Sequence, residues 1–300
     1  MTAAAAGAWV SRLWLPIVFA VADGYRVAVF AVRPASLGFD ARLYAKAADA
    51  WLSGGDPWAV SDRFWHFAAP PPTLLLFAPF ARLPEELTAA IWMIGSIVLA
   101  AAAVRRLGLP GWWVLFPGIV DSVLVANPNA VVLALLVLAG GRLAPLAVTL
   151  KVYAVVPLVA ERRWKPLAAA GGLLAATVPL LPWGLWWAQL PRITSTLATQ
   201  AETTSVFGSP VLMALGVVAL LSLGLRQAGW LAVPLLWPST QPHYTAISVP
   251  GLTPFLAAAW CLPSPPIMLG SVVLLALWRL AVRFRSFTVR FGTPSRPRAH

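Results

Sequence analysis

The sequence predicts an all-α polytopic membrane protein, and three observations carry that prediction. The chain is 60% hydrophobic and 11% charged, with a mean hydropathy of +0.79, a composition that soluble domains do not have. Leu-, Ala- and Val-rich runs recur along all 300 residues without strict alternation, which selects helices over barrel strands as the way to satisfy backbone polar groups in lipid. The basic residues gather where those runs end: Arg105-Arg106, Arg162-Arg163 with Lys165, and six Arg from Arg279 to Arg298, with no acid after Glu202. That is the positive-inside pattern, reinforced by anionic lipid. The net charge of +12 is dispersed along the chain at membrane boundaries, so it points to membrane lipid as a partner and not to nucleic acid. The single cysteine, Cys261, excludes an intramolecular disulfide and a cysteine-based metal site. It reads as a small apolar helix residue.

The first apolar run, Leu13 to Val32, follows Arg12 and lacks a convincing cleavage site. It reads as a retained first span with its N-terminus in the cytoplasm. Asp23 and Arg26 within it are three apart and can pair on one helix face. Residues 33–86 then form one large extracytoplasmic loop. It holds "GFDARLYAKAADAWLSGGDPW", and Asp40, Asp49, Asp56 and Asp62 are four of the ten acids in the chain. Over Asp40 to Leu52, Leu43, Tyr44, Ala47, Ala48 and Trp51 share one helical face, with Arg42, Lys46, Asp49 and Ser53 on the other. Gly54-Gly55 stops the helix. This spacing predicts an amphipathic helix lying on the outer membrane surface. Proline bounds the Leu-rich piece of "FAAPPPTLLLFAPFARLP", which is too short to span and reads as a re-entrant or interfacial helix.

Leu87 to Val104 is long enough to cross, and Arg105-Arg106 places its end inside. "GWWVLFPGIVDSVLVA" then rises to Asn127-Pro128-Asn129, and "AVVLALLVLAGG" descends to Arg142. "LAPLAVTLK" climbs only nine residues to Lys151, and "VYAVVPLVAERRW" returns to the basic cluster. Nine residues of helix rise about 14 Å, roughly half the hydrocarbon thickness. Lys151 is therefore expected near mid-membrane at the floor of a cavity. A single span from Leu143 to Ala160 is the alternative, and it sets Arg162, Arg163 and Lys165 outside, against the charge rule. Pro166 to Trp187 forms a further span, followed by a polar loop, a return over Val211 to Leu225, and a short run from Gly229 to Pro238. Two more apolar runs, up to Trp260 and from Ile267 to Val282, finish the bundle. Strict counting leaves the side of the Arg-rich tail open. The chain thus divides into a membrane domain, residues 1–285, and a basic tail, residues 286–300, expected to be disordered. It shows no internal repeat, which argues against a transporter built from inverted repeats.

Chemistry-bearing residues are few. Asp40 at the helix start reads either as an N-cap or as a general base aimed into a cavity. Asp49 belongs to the solvated face, and Asp56 and Asp62 to turns. Lys151 reads either as a snorkelling lysine or as the cation for a phosphate leaving group. His243 lies where an apolar run meets the outer face, and reads as an interfacial histidine or as a hydrogen-bonding group for phosphate or acceptor. Arg42 and Arg63 can assist a phosphate or balance the local acids.

The ordered set "FDARLYAKAADAWLSGGDPW", "FAAPPPTLLLFAPFARLP", "NPNAVVLALLVLA", "LKVYAVVPLVAERRW" and "QPHY", from about Phe39 to Pro250, resembles glycosyltransferase family 87. That family, also catalogued as domain of unknown function 2029, comprises polyprenyl-phosphate-dependent mannosyltransferases of the GT-C fold. The resemblance implies a GT-C-like helix bundle in the plasma membrane with its active site on the extracytoplasmic side. It implies Asp40 as catalytic base, with Lys151, His243, Tyr244, Asn129 and Arg42 as candidates for donor phosphate or acceptor. Ala69 stands where the family usually has Tyr before its proline pair, and Val152 replaces the Pro after the lysine. The implied activity is inverting transfer of a hexose, mannose above all, from a polyprenyl-phosphate-linked sugar donor to a glycolipid or glycan acceptor. A single displacement needs one base. No DxD nucleotide-sugar motif occurs, and no metal or cofactor is expected. The competing readings are a multi-pass transporter or lipid flippase, and a degenerate non-catalytic member of the family.

Overall fold

The structure, a computed structural model, describes residues 3–62, 65–198 and 203–291. Arg63 and residues 292–300 lie outside the described residues, as does the side chain of Arg12. The described chain is all-α apart from a two-residue antiparallel pairing of β1 (Ser61–Asp62) with β2 (Trp65–His66). Asp62, expected in a turn, faces Trp65 in that pairing. Among the described residues three helices are long and apolar enough to cross a membrane: residues Leu13–Val32 of α1 (Ala3–Val32), α4 (Glu85–Arg106), and Pro265–Arg283 of α14 (Pro265–Phe291). Their outer faces carry Ile17, Val21, Ile94, Val98, Leu274 and Trp278, all exposed, as a lipid-facing surface requires.

Between α1 and α4 lie α2 (Phe39–Leu52) and α3 (Pro72–Phe77). The amphipathic pattern of α2 is present, with Leu43, Tyr44, Ala47 and Ala48 buried. Its apolar face is covered by protein, since α2 packs on α3 and α4. Trp58, Phe67, Leu74, Phe77 and Trp92 form the cluster beneath it, and Phe77 stacks on Trp92 at 4.4 Å. The expectation of a helix resting on lipid is therefore corrected. Trp58, Phe67 and Phe77 from the same loop, with Trp92 of α4, occupy the space against that face. The polar face turns to α4, where Lys46 and Arg42 reach Glu85 at 3.2 and 3.8 Å.

After α4 come half-length helices: α5 (Pro117–Leu124), α6 (Asn129–Val137), α7 (Ala144–Leu150) and α8 (Val155–Ala160). At about 1.5 Å per residue none reaches across a bilayer. The backbone breaks at Lys151, which is extended at φ −143° and ψ 108°. The chain then returns to its starting level. Arg163 donates to the Leu136 carbonyl at 3.1 Å, and its guanidinium fills the space beside Gly141. So α7 and α8 form a hairpin with Lys151 at the tip, the broken pair and not the single span.

The expected span from Pro166 to Trp187 is divided instead into α9 (Trp164–Thr177) and α10 (Trp183–Ala198). The first of these stops at Thr177, two residues before Pro179, and Pro182 immediately precedes α10. The segment expected as a polar loop is helical as far as Ala198. Gln189 donates to Asp56 at 2.7 Å and Arg192 to the Trp58 carbonyl, so α10 is fastened to the segment after α2. Next, α11 (Pro210–Ser222) and α12 (Leu225–Leu236) pack together. A 3-10 helix, Pro242–Gly251, returns along α12, and α13 (Pro254–Ala259) leads into α14.

The contacts of the last helix place it relative to the basic residues of the bundle. Arg279 donates to the Leu223 carbonyl at 3.0 Å. Arg226 meets Glu161 at 3.2 Å, and Glu161 also lies 3.7 Å from Arg163. Arg279 of the last helix therefore lies at the end of the bundle that holds Arg163 and Arg226. Helix continues to Phe291, past the expected start of the tail at 286.

One pairing within α1 is corrected. Arg26 does not engage Asp23 by hydrogen bond. Its Nε donates to Asp121 of α5 at 2.7 Å, its Nη1 to the Ala22 carbonyl, and its Nη2 to the Cys261 carbonyl at 2.9 Å. A guanidinium with five donors reaches across helices, and three acceptors outside Asp23 lie within its span. Cys261 is buried, as expected of a small apolar residue, but it lies in the turn after α13 and not in a helix.

Candidate active site

The site is built where three chain reversals meet. The first is the start of α2. Gly38 caps it, and its φ of +65° with the Ala89 methyl group in the way excludes a side chain. Its N–H donates to the Leu124 carbonyl at 2.7 Å, and that of Asp40 to Val125 at 2.9 Å. The N-cap reading of Asp40 is thereby corrected. Gly38 caps the helix, and the Asp40 carboxylate makes no capping bond.

The second reversal is the turn between α5 and α6. Ser122 donates from its hydroxyl to the Asn127 carbonyl and accepts from the Ala130 N–H. Asn127 Oδ1 accepts from the Asn129 N–H at 3.1 Å. With its oxygen held in this way, the Asn127 amide has its Nδ2 free to donate to Asp40 Oδ2 at 2.7 Å.

The tip of the α7–α8 hairpin is the third. Lys151 is 8% exposed. Its Nζ donates to the Tyr44 hydroxyl at 2.7 Å and lies 5.3 and 5.9 Å from the Tyr44 and Tyr244 ring centres. Among the described residues no carboxylate lies within 4.0 Å of that ammonium. Tyr44 is fixed by Phe67 at 5.2 Å and Phe77 at 4.9 Å.

Asn129 is fully buried. It donates to the His243 carbonyl at 3.2 Å and accepts from the Tyr153 hydroxyl. His243 is buried, with its ring 5.0 Å from that of Tyr244, which in turn lies 5.2 Å from Tyr153.

Asp40, Asn129, Lys151, His243 and Tyr244 thus belong to one connected cluster. Arg42 does not. Its guanidinium donates to the Leu37 and Ala35 carbonyls and faces Glu85. Three unsatisfied or negative acceptors on one side of α2 hold it there, so it ties down the loop before the helix.

Burial pushes the Asp40 carboxyl above the ordinary carboxylate range, while the Asn127 amide and the Lys151 ammonium pull it back down. Asp40 as a whole residue is half-buried.

Tyr44 and Tyr153 were not among the site residues expected from sequence. The helical stripe assigned Tyr44 to the apolar face, correctly for its ring. A signal existed: the chain has only four tyrosines, and a buried phenol needs a hydrogen-bond partner. Three of those four meet here.

The described chain is all-α, with three helices long and apolar enough to cross a membrane, and it gathers one carboxylate, one ammonium, two carboxamides, three phenols and one imidazole in a single cluster. Comparison of the chain with protein-family models, with curated proteins and with solved structures finds no match to any of them.

Proposed function

We propose that the chain is an inverting hexosyltransferase of the GT-C type, resembling glycosyltransferase family 87. It works in the plasma membrane on its extracytoplasmic side, with a polyprenyl-phosphate-linked sugar, mannose above all, as donor and a glycolipid or glycan as acceptor. One observation carries the reading: Lys151, a buried ammonium with no carboxylate within 4.0 Å among the described residues, lies in the same cluster as the carboxylate of the half-buried Asp40. A buried unpaired charge costs several kcal/mol, about 3–5 when a partner is removed. An anionic ligand offsets that cost, and a lipid phosphate supplies the anion.

The roles follow. Asp40 takes the proton of the acceptor hydroxyl as its oxygen attacks the anomeric carbon. The bond from that carbon to the phosphate oxygen breaks, and its electron pair leaves on the phosphate. Lys151 balances the charge that develops there. Asn127 aims the carboxylate, and Tyr44 aims the ammonium. His243 and Tyr244 border the phosphate, and Asn129 holds the segment carrying them.

The test is transfer from polyprenyl-phosphate mannose to a glycolipid acceptor by the purified full chain in lipid. Transfer is expected from wild type, with a loss of about 100-fold or more in Asp40→Asn while donor binding is kept. Full activity in that variant overturns the base assignment. A wild-type chain that binds lipid phosphate but transfers no hexose overturns the enzyme reading.

A further inference from the structure

Away from the site described above, α1, α5 and the end of α13 enclose a second polar cluster. Asp23 is about nine-tenths buried, and neither of its carboxyl oxygens has a hydrogen-bond partner. It lies on the part of α1 long and apolar enough to cross a membrane. The groups facing it are few. Arg26 stands one turn along the same helix. Asp121, itself buried, comes from α5. Cys261 follows α13. The five-residue 3-10 helix Gly111–Leu115, which also packs on α1, brings Trp112 and Trp113 and no titratable side chain.

Charge and hydrogen bonding decide what Asp23 does there. The cluster holds two carboxyls and one guanidinium. All three nitrogens of that guanidinium are engaged, with Asp121 and the carbonyls of Ala22 and Cys261. A carboxylate at Asp23 thus faces a low-dielectric interior with no donor and a cation already committed. Such a group gives up its charge rather than bear it. A bound metal ion is a poor substitute. Among the described residues no three His, Cys, Asp or Glu side chains are grouped to hold one, and hard cations take about six oxygens.

We propose that Asp23 is an intramembrane proton-binding site, carrying its proton as a neutral carboxylic acid at neutral pH while Arg26 is held by Asp121. An aspartic acid in water is about one part in a thousand protonated at pH 7, so the state is distinctive. The proton also selects a partner for Arg26. With Asp23 neutral, the guanidinium bridges α1 to α5. With Asp23 ionised, two carboxylates compete for it.

Infrared spectroscopy of the full chain in lipid vesicles reads this directly. An un-ionised carboxylic acid has a carbonyl stretch well above the carboxylate and amide bands, and it moves down in heavy water. Spectra are compared in an Asp40→Asn background, so that the other candidate acid does not contribute. The band is expected at pH 7 in that background and is expected to vanish in Asp23→Asn. Should that variant fail to assemble, Asp121→Asn decides. It releases Arg26 to Asp23, which then ionises, and the band disappears although Asp23 is intact. No acid band at pH 7 with Asp23 present, or a band that survives either substitution, overturns the proposal.

Discussion

At the scale of single residues, the site depends on how few groups are left for solutes. The Asn127 oxygen, the Asn129 amide and the Tyr153 hydroxyl are spent inside the protein, which leaves Asp40 and Lys151 to do chemistry. Burial raises the Asp40 carboxyl, and the sign of two consequences follows. A base acts when ionised, so the acid limb of the pH–rate profile should fall at a higher pH than for an aspartate in water, where the ordinary value is about 3.9. The same shift means that the folded state prefers the protonated group. Its contribution to stability is full below the unfolded pKa and is lost as pH rises through the folded one. Asp40→Asn should therefore lose activity yet melt at an equal or higher temperature at neutral pH, measured by thermal unfolding in detergent. Lys151→Met removes a charge-assisted bond to the donor, each worth about 1.5–3 kcal/mol. Donor KM should rise about tenfold to a hundredfold, with binding of the uncharged polyprenol unchanged. Asp40 and Lys151 were legible in the sequence because a charge in so apolar a chain is conspicuous. Tyr44 and Tyr153 were not, because an aromatic at helical spacing satisfies the apolar pattern whichever way its hydroxyl points.

At the scale of elements, the hairpin of α7 and α8 and the close approach of α5 to the 242–251 segment position the site. A single cysteine at Arg142 and one at Trp164, each in a Cys261→Ser background, should be modified by a membrane-impermeant maleimide from the same side. A continuous span places them on opposite sides. Gly118 meets the 242–251 segment so closely that a methyl group there would lie 2.0 Å from Thr245 Oγ1 and 2.8 Å from the Ala246 nitrogen. Gly118→Ala should cost about 1–3 kcal/mol by overpacking and lower the melting temperature. Gly171→Ala, inside α9 with nothing within 4 Å, should instead raise it, by the equivalent of about 0.5–1 kcal/mol. The short rise to Lys151 was readable by counting residues against bilayer thickness. The division of 166–187 into α9 and α10 was not, because Leu and Trp on both sides of Pro182 keep the hydropathy high through the break. Tertiary contacts fix α10 in its place: Gln189 with Asp56, Arg192 with Trp58, and Ile193 in the cluster under α2.

At the scale of the whole molecule, the basic residues at one end of the bundle act as a set. Arg163, Arg226 and Arg279 share that end with Glu161. Cysteines at Arg142, Trp164 and Arg226 should therefore be reached together from one side of the membrane, and one at Lys46 from the other.

The sequence by itself determined the solvent and the class. Hydropathy, helical spacing and boundary charges are sums over many residues, so they survive ignorance of every contact. They also marked Asp40, Lys151, Asp23 and Arg26, since a charge in hydrocarbon must have a reason. Only the tertiary structure decided partners. Arg26 chose Asp121 over Asp23, Arg42 turned from the site to carbonyls, Gly38 took the cap from Asp40, and Arg279 of α14 joined the end that holds Arg163 and Arg226. Each is a competition between donors and acceptors far apart in the chain, settled by distance in the folded bundle, a quantity that spacing along the sequence does not contain.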